Sequence, residues 1–98
     1  MPIFIKTEII KKEFIFNNKL KKKLVDKHIL WIKELKKAGV KVKSGFLVNE
    51  IKEPGAGGLL TIEVRTYKDA LKIVKEDPMI KSKIVDWELN EWIDISPD

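Results

Sequence analysis

Ninety-eight residues, 44% hydrophobic and 36% charged, suit one soluble α+β domain over residues 1–98, with no apolar run long enough to span a bilayer. The absence of cysteine excludes disulfides, thiolate catalysis and cysteine-based zinc sites. One histidine leaves a metal site little but carboxylates, so neither metal nor cofactor is expected, and a net charge of +5 is too modest to argue for nucleic acid.

The opening MPIFIKTE has neither a basic n-region nor a long apolar h-region, so the expected compartment is the cytoplasm. Within it IFIKTEII alternates as a strand over roughly residues 2–10, and KKEFIFNN reads as an irregular or extended connection. Asn18 is then a plausible N-cap, and Leu20, Leu24, His28, Trp31, Ile32, Leu35 and Ala38 fall at steps of three and four. Those steps predict one long amphipathic helix, ended by Gly39. The segment VKVKSGFLV returns to a period of two, with Val40, Val42, Phe46 and Val48 on one side.

Turn chemistry in EIKEPGAGG separates this strand from the next, in which Leu60, Ile62 and Val64 face inward, and the two strands should form a hairpin. Thr66, with Asp69 three residues on, opens a second helix whose stripe is Ala70, Leu71 and Val74. Pro78 stops it. After the turn MIKSKI, VDWELNEWIDI forms a last strand with Val85, Trp87, Leu89 and Ile93 on one face.

Strand, helix, strand, strand, helix, strand is the ferredoxin-like βαββαβ order, an antiparallel four-stranded sheet with both helices on one face. By alternation the free face should carry Phe4, Lys6, Lys41, Leu47, Leu59, Thr61, Glu63, Glu88, Asn90 and Trp92. That mixture is too apolar for a purely solvated face, and it points to a homodimer built sheet to sheet around a polar pocket, a dimeric α+β barrel. Trp31, Trp87 and Trp92 read as core and interface mass. The glycine-rich PGAGGLL lacks the helix and the Lys-Ser/Thr pair of a phosphate-binding loop.

The stretches HILWIKELKKAG, SGF, PGAGGLL, EDPMI and WELNEW together resemble the YCII-related family, and the likeness runs from about Asp26 to Trp92. The resemblance implies a dimeric ferredoxin-type α+β barrel. It also implies a site built on a histidine of the first helix and an aspartate of a D-P motif after the second, positions held here by His28 and Asp77. Gly45, Gly57 and Gly58 match the family's strand glycines. Phe46 stands where the family has proline, Lys23 and Lys27 lie where an arginine is usual, and Glu91 replaces a proline before the final tryptophan. Ser44, Gly45 and Phe46, with Trp31 beside the histidine, would line the pocket.

The residues themselves support such a pair, because an imidazole among Leu24, Trp31 and Ile32 is partly buried and needs a partner for its ring N–H. Asp77 lies at the C-terminal end of the second helix, where the macrodipole opposes a negative charge and a nearby imidazolium would compensate it. On residue pattern alone, a core histidine and a turn-forming aspartate account for the same positions.

Three functions are compatible. The first is a cofactor-independent lyase or isomerase for small molecules, with His28 as general base or acid and Asp77 orienting it. The second is a non-catalytic dimeric small-ligand binder or accessory protein using the same pocket. The third, an RNA-binding module, is weakened because the third strand offers Leu59, Thr61 and Glu63 outward and no aromatic residue. Acyl transfer is not the expected chemistry, since nothing in the spacing places Ser44, the nearest hydroxyl by sequence, beside the histidine.

Overall fold

The computed structural model describes residues 1–98. Strands β1 (Ile3–Ile10), β2 (Lys41–Val48), β3 (Pro54–Glu63) and β4 (Val85–Trp92) form one antiparallel sheet in the order β2-β3-β1-β4. Helices α1 (Asn18–Lys37) and α2 (Tyr67–Val74), with the single turn α3 (Pro78–Lys81), make the second layer. This is the ferredoxin-like βαββαβ arrangement.

Local chemistry fixes the helix ends. Asn17, one residue before the expected cap, accepts the Leu20 amide at 3.1 Å and opens α1. At the other end the Gly39 and Val40 amides reach back to the Lys36 and Leu35 carbonyls, both at 3.0 Å, with Gly39 at φ +85°. Those paired bonds are a Schellman cap, and only glycine adopts that backbone without strain. Thr66 caps α2 by accepting the Asp69 amide at 3.1 Å. The connection after β1 contains a 3₁₀ turn, Lys12–Phe14, where the sequence suggested irregular chain.

Between sheet and helices Phe4, Val42, Leu60, Ile62, Ala70, Val74 and Leu89 form the main core. Leu24, Met79, Ile84 and Val85 form a second cluster. Each fully buried Leu, Ile or Phe contributes about 1.5–3 kcal/mol by leaving water.

Strands β1, β2 and β4 each depart from the pattern expected of them. Phe4 and Lys6 lie on the helix-covered face, opposite Ile62 and Leu60, with only 1% and 2% of their surfaces exposed. The free face of β1 therefore carries Ile3, Ile5, Thr7 and Ile9, because a phase slip of one residue moves every side chain across the sheet. In β2 only Val42 is buried, while Phe46 and Val48 are exposed. Ile93 follows the end of β4 and is exposed.

The glycine-rich segment is strand, not turn. β3 starts at Pro54, and the hairpin is closed by the Asn49 side chain, which accepts the Ile51 and Glu53 amides at 3.0 Å each. A Cβ at Gly57, held at φ +99°, would overlap the Glu8 carbonyl oxygen of β1. Gly57→Ala should therefore destabilise the chain by more than about 1 kcal/mol, read as a lower urea midpoint at unchanged slope.

Candidate active site

Five side chains from four parts of the chain meet beneath α1. His28 points from α1 toward the sheet, Asp77 sits between α2 and α3, Lys6 and Glu8 rise from β1, and Ser44 reaches in from β2. They form one hydrogen-bonded row. His28 Nδ1 lies 2.8 Å from Asp77 Oδ1, and His28 Nε2 lies 2.7 Å from Ser44 Oγ. On the other side Lys6 Nζ donates to Asp77 Oδ2 at 3.0 Å and also pairs with Glu8.

Asp77 is fully buried and caps the short turn α3, its Oδ1 accepting the Met79 amide at 3.0 Å, with Pro78 at the first helical position. The dipole conflict expected at the end of α2 is thereby removed, since α2 stops at Val74 and the carboxylate serves the next turn. Burial by itself would push this carboxyl up. The hydrogen bond from His28, the charge on Lys6, the imidazole's own charge and the Met79 amide outweigh burial and hold it below the usual carboxylate range.

A folded-state value below the unfolded one contributes stability that is present above the unfolded value, about 3.9, and is lost as pH falls through the folded value. Urea unfolding below about pH 4 should therefore show a steeper loss of stability in the parent than in Asp77→Asn. Equal slopes would remove this role.

Lys6 occupies a central strand, flanked on its face by Leu60 and Leu89. An ammonium there costs several kcal/mol of lost hydration, which only close anionic partners offset. Asp77 and Glu8 supply them, and no buried side-chain nitrogen or oxygen is left without a partner. Gly58 lies opposite Glu8, and a Cβ on it would approach Glu8 Cγ to 3.1 Å. The paired glycines make room for the backbone and side chain of Glu8.

The row grades from dry to wet. Asp77 and Lys6 are enclosed, the His28 side chain is 13% exposed, and Ser44 is exposed. The Trp31 ring lies against the imidazole, with centroids 5.6 Å apart. Phe46 extends from the same face of β2 as Ser44 and is 70% exposed, whereas alternation turns Gly45 to the opposite face. Two clefts of about 580 and 660 Å³ include none of the five residues of the row, although Trp31 lines the first.

Lys6 and Glu8 escaped the sequence reading because isoleucines at 3, 5 and 9 made the other face of β1 look like the core. The available signal was Lys and Glu two residues apart, hence on one face, in a strand otherwise apolar except for Thr7. Ser44, set aside on spacing, stands against the imidazole.

Chemically, an Nδ1–H donated to Asp77 leaves the Nε2 lone pair facing Ser44 and solvent. Two carboxylates face one ammonium here, so an imidazolium formed by proton uptake balances the set.

The family model described as a YCII-related domain matches residues 7–93. Among solved structures the chain is similar to a 5-chloro-2-hydroxyhydroquinone dehydrochlorinase from Burkholderia phenoliruptrix AC1100 in complex with 2,5-dihydroxybenzoquinone. The TM-score is 0.71 at 14% identity, with 93% of each chain covered. At that identity the likeness concerns the fold. The curated proteins include no match.

Proposed function

We propose that this chain, which belongs to the YCII-related family, is an enzyme that uses His28 and Asp77 for general acid/base chemistry on a small molecule. The observation that carries this reading is the 2.8 Å bond from a fully buried carboxylate to Nδ1, which leaves Nε2 directed at the open end of the row. Nε2 takes a proton from an acidic position of the substrate, Asp77 stabilises the imidazolium, and the same proton returns to a leaving group or to a neighbouring carbon. The reaction class is lyase-like or isomerase-like and needs no cofactor. Hydroxylated aromatic compounds are the first class to try, given the ligand bound to the similarly folded dehydrochlorinase.

A second copy of the chain is part of this reading. The free face of the sheet exposes Ile9, Leu47 and Trp92 beside the half-buried Ile3, Ile5 and Leu59. A sheet-to-sheet homodimer would cover that patch, while the row of polar side chains lies on the opposite, helix-covered face of the sheet.

The test is NMR titration of the single imidazole in the parent and in Asp77→Asn, with a screen of halogenated hydroquinones and small carbonyl compounds for turnover. A displaced titration together with turnover supports the enzyme. Ligand-induced shifts without turnover would favour a non-catalytic binder, and an imidazole indifferent to residue 77 would dissolve the pair.

A further inference from the structure

The hydroxyl at the open end of the row has no place in the acid/base chemistry above, yet it is the only group hydrogen-bonded to Nε2. Ser44 Oγ to His28 Nε2 is 2.7 Å, and His28 Nδ1 to Asp77 Oδ1 is 2.8 Å. With Nδ1–H donated to the carboxylate, the hydroxyl must donate to Nε2, which is the connectivity of an activated serine. The dry end of the row holds the carboxylate fixed through Lys6 and the Met79 amide, and the serine end is exposed to an incoming molecule.

We propose that Ser44 is a nucleophile, and that the protein carries a second activity, acyl transfer from small activated carboxylic esters. Ser44 Oγ adds to the ester carbonyl carbon while its proton passes to Nε2. The tetrahedral adduct collapses, the C–O bond to the leaving group breaks, and Nε2 returns the proton to the departing alcohol or phenol. Water then loses a proton to Nε2 and attacks the acyl-serine, which releases the carboxylic acid and restores the hydroxyl.

The oxyanion needs a donor, and the topology offers one. β2 is an edge strand, and consecutive residues of such a strand turn their amides alternately toward the neighbour and toward the open edge. Of the adjacent Ser44 and Gly45 amides, one is therefore free of a strand partner.

This inference rests on the His28–Asp77 pair, but the two readings fail separately. The probe is p-nitrophenyl acetate in excess over the full chain, with nitrophenolate release followed from the first turnover and the protein digested for mass spectrometry. A burst close to one equivalent, with acetyl on the peptide carrying Ser44, is expected. Ser44→Ala should abolish the labelled peptide and slow ester turnover by roughly 100-fold or more, and His28→Ala should do the same. Because residue 44 is exposed, an unchanged urea midpoint for Ser44→Ala excludes misfolding as the cause. Acetyl found only on lysines, or a rate indifferent to Ser44→Ala, overturns the nucleophile. In that case an Asp77-dependent imidazole titration would leave the acid/base reading intact.

Discussion

Lys6→Met is expected to destabilise the protein by about 3–5 kcal/mol, the range found when one partner of a buried ion pair is removed. The substitution keeps the length and most of the volume of the stem, so packing against Leu60 and Leu89 survives and the loss is electrostatic. Asp77 and Glu8 would then face each other across the site with no cation between them. The measurement is urea unfolding at neutral pH. Restoring part of the balance with Glu8→Gln in the same chain should recover a measurable share, since one of the two orphaned charges is gone. A loss under about 1 kcal/mol would mean that Lys6 is effectively solvated and that the row ends at Asp77.

His28→Ala should lower turnover of the identified substrate by about 10²–10⁴-fold, the usual contribution of a positioned acid/base group. Asp77→Asn should approach the upper end of that range by a different route. Its amide can present N–H to Nδ1, which forces the ring proton onto Nε2 and removes the base from the side where it is needed. The stability changes differ too. His28 is a partly exposed residue whose removal leaves Asp77 with Lys6 and the Met79 amide, so the fold should tolerate its loss. Turnover retained within about threefold in both variants would end the acid/base assignment, whatever the hydrogen bonds show.

How legible this site was depended on which physical signal each residue left in the chain. His28 fell on a helical stripe with Leu24 and Trp31, so its inward direction followed from a period of 3.6, and the helix is long enough for that period to be unambiguous. Asp77 was found through the D-P pair and the family resemblance, although its local role, capping α3, could not be separated from a simple stop signal. Ser44 shares a strand face with Val42 and Phe46, but nothing in the local pattern states which helix residue crosses above it. Lys6 shares its face of β1 with Glu8 while Ile3, Ile5 and Ile9 line the other, so the usual rule that lysine faces water assigns the wrong face.

The sequence by itself determined the order of the four strands and two main helices, the caps at Thr66 and Gly39, and the inward direction of His28. These depend on interactions within a few residues, and such interactions are written in spacing and residue type. Only the tertiary structure decided the phase of β1, the burial of Lys6 between two carboxylates and the contact of Ser44 with Nε2. Each of those depends on partners brought together across the sheet, up to 71 residues apart for Lys6 and Asp77. A buried charge is stable only where the folded chain supplies its counter-charge, so no local pattern could announce it.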